Sequence, residues 1–492
     1  MEDSMKSSSL LLVGLAAALG LAAPAQAQTI MSGTGASAGN LFVNQVPLFL
    51  CEIEGAGSPP APRPQHFLNA DVVSPFTSNT IGAKKMGLWK CRVGGNNVVI
   101  RYRSTGSSDG VTKLNAALGT TANEAEHMDV SVNAGQCTTN TLPNPSGGVY
   151  DENSLCAITS GQVVIDDTHI GASDVGGSTF GQVGPGPVPF PPPGDPGFSV
   201  SPLDDSGLNS VQAAVVPFSI YLGKNVGQLD SSGNVQRVTS LPSTTLESIL
   251  NGSGAKQWQQ IGFDTGTIGG APDAGLTNID MCHRRAGSGT KASLDATIMK
   301  DSAENPTGVN VLDVATDLTS ASNDYFLRST GDVQKCLESA TQGHPNGIAY
   351  MDADRVTQLV GFPATTESYV VAVDGILVRD EAAGVATGAA VGSAEYEAAA
   401  KQGLRCGSYR YWVGERINTR TTSTGDATLD SLISSFVSTA STPAVISALP
   451  AGKFWEPPSV MSVFKNKDTG PHTFKSGAQT QCKPADNPNF PN

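Results

Sequence analysis

The stretch HRRAGSGTKAS at 283–293 sets two arginines, Arg284 and Arg285, just ahead of Ser288, Gly289 and Thr290, where the pattern predicts the start of a helix. Arginine offers a planar fork of donors that matches oxyanion oxygens, and the first backbone N–H groups of a helix lack intrahelical partners. Together they could replace the hydration shell of one small anion. Two other turns share this grammar of short residues before a helix: GTGAS at 33–37 and GSSDG at 106–110. Simple N-capping is the competing account of each turn, because Ser and Thr are favoured there whether or not anything binds. Three such turns, one with paired Arg, favour a ligand.

Other chemistry is weaker. His283 adjoins the arginines and could be imagined as a general base, but without a metal cluster or acid partner the expectation is an exposed or structurally bonded histidine. In DDTH, Asp166, Asp167 and His169 lie on an extended segment whose alternate residues face opposite ways, so separate roles are expected. The glycines at 33, 35 and 39 miss the GxGxxG spacing by one. AGSGTK is not a GxxxxGK[ST] loop, and Ala286 stands where a GxSxG elbow needs its first glycine. No nucleophile with a positioned base emerges, so no enzyme and no catalytic residue are expected. With no CxxC pair and scattered histidines, neither a metal site nor a cofactor is expected.

The elements that must position these turns alternate. Each turn follows an apolar or β-branched run and precedes a helical pattern: strand 98–103 before a helix carrying Val111, Leu114 and Leu118, and strand 279–282 before one carrying Leu294, Ile298 and Met299. Such alternation predicts an α/β fold with helices packed on a mostly parallel sheet. VQAAVVPFSIYLG at 211–223 reads as a buried strand whose Pro217 marks a strand end or crossover. Leu429, Leu432, Ile433, Phe436 and Val437 form a core-facing helical stripe. YRYWVGE supplies Tyr409, Tyr411 and Trp412 as core and rim residues of a returning strand. The tract at 183–197 (VGPGPVPFPPPGDPG) favours polyproline II and reads as a stiff surface connector.

Residues 1–27 read as a signal peptide, with an apolar run followed by Ala25-Gln26-Ala27 and cleavage before Gln28, which predicts a periplasmic or secreted chain. Eight cysteines in an exported chain predict up to four disulfides. The spacing does not fix their connectivity; neighbour pairing, in which each bridge closes a local excursion, is the expectation: 51 with 91, 137 with 156, 282 with 336, and 406 with 482. The formal charge of −14, with no basic run longer than two residues, argues against nucleic acid, so an anion site must be local.

These residues together resemble the periplasmic phosphate-binding proteins of bacterial ABC uptake systems. The matching motifs run in order: SGTGASAG, RSTGSSDG, the GASD turn ending at Asp174, AVVPFSIYLG, TLESILNGSGAKQWQQIG, RRAGSGT and PNGIAYM. The resemblance spans most of the mature chain, while 51–97, 119–160 and 176–205 look inserted.

The resemblance implies a two-lobed, type 2 solute-binding α/β fold with mixed sheets, two crossovers and inserted disulfide-bridged loops. Lobe one would comprise 28–221 plus 408–492, and lobe two 222–407. It implies ligand contacts from Ser37 and Ala38 in the first turn, Ser107 in the second, Asp174 as proton acceptor, Arg284 as cation, and Ser288, Gly289 and Thr290 as donors. The family usually has an aromatic where Ala38 stands, which leaves one pocket wall open. It commonly has an acid where Ala286 stands, so Arg284 is expected to be less neutralised, with Arg285 adding charge. Asp109 is expected to favour the helix dipole rather than touch ligand. Phosphate is the implied ligand, with arsenate, another protonated oxyanion or a phosphorylated organic molecule left open. A monomer serving an ABC permease is implied. The competing role is a surface protein that keeps the fold while its insertions serve adhesion or assembly.

Overall fold

The structure is a computed structural model. It describes residues 28–36, 40–52, 64–70, 72–73, 80–81, 85–139, 151–180, 202–250, 254–299, 324–327, 329–339, 343–353, 368–391, 393–449, 454–468, 470–478 and 482. The expected signal peptide, the Pro-rich tract at 183–197, and Ser37 and Ala38 lie outside these residues.

The chain is a mixed α/β structure built on one 14-stranded sheet. Its main strands are β1 (Thr29–Gly35), β2 (Gln65–Asn69), β3 (Met86–Val93), β4 (Asn96–Ser104), β5 (Cys137–Thr139), β6 (Asp151–Cys156), β7 (Ile170–Ser173), β8 (Leu208–Leu222), β9 (Asp280–Arg284), β10 (Asp324–Leu327), β11 (Gly347–Asp352), β12 (Tyr369–Val373) and β13 (Trp412–Arg420). They pair in the order β10-β9-β11-β8-β13-β7-β1-β4-β3-β2-β6-β5, with β12 also on β8. The helices that matter for the site are α1 (Asn40–Gln45), α2 (Asp109–Asn115), α3 (Gly289–Thr297) and α4 (Thr330–Glu338), and α5 (Ala427–Ala440) covers the sheet.

Parallel pairing sets the geometry. β1 runs parallel to both β4 and β7, and β9 runs parallel to both β10 and β11. Within each group the carboxyl ends lie together, which is where loops of open α/β sheets gather ligands. Long antiparallel strands β8 and β13 join the groups. β8 pairs with β13 from Leu208 to Pro217, and from Phe218 onward it pairs with β11. Pro217 therefore sits where the partner changes, as its missing N–H suggests.

The strands form where the apolar runs lie. Val98, Val99, Ile100 and Tyr102 of β4 and Val215, Val216, Phe218 and Ile220 of β8 are all buried. In α5, Leu429, Leu432 and Phe436 face the core, and Tyr409, Tyr411 and Trp412 are buried in it. All four disulfides pair neighbours as expected: Cys51–Cys91, Cys137–Cys156, Cys282–Cys336 and Cys406–Cys482.

The segments at 51–97 and 119–160 are more than inserted loops. They contribute β2, β3, β5 and β6, which continue the main sheet outward from β4. A bare β4 would expose a row of backbone donors and acceptors; MGLWKCRV pairs along it, and QHFLN pairs along MGLWKCRV in turn. Residues 124–128 and 163–167 add a two-stranded antiparallel ribbon.

Candidate functional site

The three turns are reached from the carboxyl ends of strands, and two of them meet directly. The turn after β4 stacks on the turn between β9 and α3, where the Ser108 amide donates to the Gly287 carbonyl at 3.2 Å. Ser107 Oγ accepts from the Gly289 amide at 3.1 Å and donates to Asp174 Oδ2, just beyond β7, at 2.7 Å. Ser107, Asp174 and Ser288 are each 2% exposed. Gly289 has to be glycine: a Cβ there would lie 2.2 Å from Asp174 Oδ2 and 2.4 Å from Ser107 Oγ.

Arg284 closes β9 and is buried. Its guanidinium donates to Thr290 Oγ1 at 3.3 Å and to Thr330 Oγ1 at 3.1 Å. Thr330, the first residue of α4, donates onward to Asp352 Oδ2, at the end of β11, at 3.3 Å. The Arg284 amide donates to the Tyr350 hydroxyl, and the Tyr411 hydroxyl donates to the Thr290 carbonyl. Burial pulls the Arg284 pKa down, while Asp352 and then Asp174 oppose it. No acid stands at Ala286, and the carboxyls that act on the guanidinium are Asp352 and Asp174, which belong to strands outside the local motif.

Asp174 meets a second carboxyl. Ser173 pairs with Arg416 between β7 and β13, so the next step of the register sets Asp174 beside Glu415. Glu415 is fully buried, and neither its carboxyl oxygens nor Asp174 Oδ1 receive a hydrogen bond from a donor among the described residues. Burial raises the Asp174 pKa, against the pull of Glu415, Ser107 and Arg284. Burial, then the Asp174 charge, push Glu415 well above the ordinary carboxyl range.

Of the residues expected from sequence, Ser107, Asp174, Arg284, Gly289 and Thr290 come together here. Ser288 stands one residue away and caps α3, its Oγ accepting from the Lys291 amide at 3.4 Å. Capping therefore accounts for the Ser288 hydroxyl but not for the second turn, where Ser108 makes no side-chain cap bond. Asp109 lies in the first turn of α2 and suits the helix dipole, as expected.

Thr330, Asp352 and Glu415 were not anticipated. The available signal was a carboxylate inside or ending an apolar run, as in GIAYMD and WVGERI, because buried charge needs a reason. His283 departs from its expectation of exposure or structural hydrogen bonding. It is fully buried, stacked on Phe326 with ring centroids 4.9 Å apart, and neither ring nitrogen has a hydrogen-bond partner among the described residues. The DDTH residues act separately: Asp166 pairs with Arg101, Asp167 accepts from the Gly119 amide, and His169 accepts from the Ser32 amide. A cavity of about 210 Å³ lined by His169, Thr419 and Arg420 lies at the opposite end of β7 and β13.

No family model matches this sequence, and no curated protein matches it. Among solved structures, a Clostridium perfringens protein described as a phosphate ABC transporter substrate-binding protein, with phosphate bound, aligns over 86% of this chain and 98% of its own. The identity is 12% and the TM-score 0.39. At that score the likeness carries no argument about this chain.

Proposed function

We propose that the chain is an exported solute-binding protein that captures a small protonated oxyanion, phosphate first, and delivers it without chemistry. One observation carries the reading: donors and an acceptor from strands far apart in sequence converge at one buried point. Ser107 Oγ, the Gly289 amide and Thr290 Oγ1 supply hydrogen bonds, Arg284 supplies charge, and Asp174 supplies an acceptor. An acceptor favours an oxyanion that still carries a proton and leaves a bare one unpaired. Ser37 and Ala38 would complete the donor set from the first turn.

The two strand groups are the proposed lobes, residues 28–221 plus 408–492 and residues 222–407, with β8 and β13 as crossovers. Ser107 and Asp174 come from the first, and Arg284 and Gly289 from the second. The ligand's contacts are then complete only when the lobes meet, which couples capture to closure. Four disulfides suit an oxidising compartment, and an ABC permease is the partner such a carrier would serve.

Calorimetric titration of the purified mature chain with phosphate, arsenate and sulfate tests this. Phosphate and arsenate should bind and sulfate should bind far more weakly. Arg284→Ala should weaken phosphate binding by about 2–3 kcal/mol, on the order of 100-fold, the worth of a lost charged hydrogen bond. Absence of binding by all three anions would overturn the reading.

A further inference from the structure

Resting on that oxyanion reading, we propose that Glu415 is a specificity-determining residue: it holds a proton that it donates to Asp174, and loss of that proton shuts the site to anions. The argument begins with donors. Among the described residues, no N–H or O–H group of the protein donates to either carboxyl oxygen of Glu415 or to Oδ1 of Asp174. Strand pairing nevertheless sets the two buried carboxyls side by side. Two carboxylates are both acceptors and repel, so neighbours buried without other donors are satisfied only when one of them keeps a proton and gives it to the other.

The surroundings decide which one keeps it. Asp174 already receives a hydrogen bond from Ser107 at 2.7 Å and feels the Arg284 charge, both of which favour its ionised form. Glu415 has no such support. The groups acting on it are Asp174 beyond β7 and Asp352 on β11, both of which disfavour a second negative charge. From β4, Tyr102 faces the same carboxyls, with its hydroxyl committed to the Ala36 carbonyl at 2.9 Å. From β9, Arg284 is shared with Asp352 and Asp174. Glu415 therefore holds the proton and Asp174 the charge, although the pair titrates as a unit.

The consequence for a ligand follows from counting charge. With Glu415 protonated, Arg284 faces two carboxylates, Asp174 and Asp352. With Glu415 ionised it faces three, and a buried anion then meets a site whose net charge has become more negative by one. Of the Asp174 oxygens, Oδ1 has no donor and is open to the Glu415 proton, while Oδ2, now accepting from Ser107, is the oxygen that can turn to a ligand's own O–H.

The test compares wild type with Glu415→Gln, which keeps a donor but cannot ionise. Infrared spectra of the ligand-free proteins at neutral pH should show a protonated-carboxyl C=O band that the variant lacks. Thermal unfolding at the same pH confirms that the variant is folded. Phosphate affinities are then measured for both from about pH 6 to about pH 9. Phosphate titrates identically against both proteins, so their affinity ratio isolates residue 415. The C=O band is followed through the same pH series and beyond it until it disappears, and as it disappears wild type should lose affinity relative to the variant by about tenfold or more, the effect of one added buried charge. No band lost on substitution, or a ratio that stays constant while the wild-type band disappears, would overturn the proposal. The band needs no ligand, so a failure of all oxyanions to bind would sink the functional reading while the proton assignment is still decided.

Discussion

His283 shows what burial does to a single titratable ring. It sits one residue before the cation of the site, stacked on Phe326 and edge-on to Tyr350. Burial, followed by the Lys291 charge, draws its pKa down to about 3. In the unfolded chain the same ring binds a proton below about pH 6.5. The unfolded state then holds more protons than the folded one, so stability present above that pH is lost progressively as pH falls toward the folded value. Urea unfolding at a series of pH values should therefore show an acid slope beginning near the unfolded pKa, and His283→Phe should make it shallower. An unchanged slope would mean that the ring is protonated in place.

At the scale of elements, the site depends on how closely α2 rests on β7. A Cβ at Gly171 would lie 1.8 Å from the Gly110 carbonyl oxygen, and one at Gly110 would lie 2.2 Å from that of Ala172. Helix and strand thus touch backbone to backbone, and this contact sets the height of the turn that carries Ser107. Gly171→Ala should lift α2, cost about 1–3 kcal/mol as an overpacked substitution does, and weaken oxyanion binding although residue 171 is no ligand contact. Denaturant midpoints and calorimetry read the two effects separately. Strand, turn and helix around 98–115 and 279–297 were legible in sequence because periodicity and small-residue turns are local signals. Thr330, Asp352 and Glu415 were not, because strand pairing between distant segments brings them to Arg284 and Asp174, and no nearby spacing records that pairing. The strands within the inserted segments at 51–97 and 119–160 were hidden for a related reason: Pro-rich and turn-rich parts obscure short runs that find partners only in the sheet extending outward from β4.

For the whole molecule, the number of bridges was legible in the even cysteine count while their connectivity was not, and the four form between neighbouring cysteines, each closing a local excursion. Cys282–Cys336 ties β9 to α4, the elements that supply Arg284 and Thr330. Cys51–Cys91 and Cys137–Cys156 fasten the added edge strands. Each bridge contributes about 2–4 kcal/mol by restricting the unfolded chain. The bridge from Cys406 to Cys482 encloses β13, with Glu415 on it, and all of α5. A protease that cuts once inside that span severs the backbone without parting the pieces. Such clipped material should migrate as one band on a gel run without reductant and as two once the thiols are freed; separation without reductant would mean the cystine is not formed.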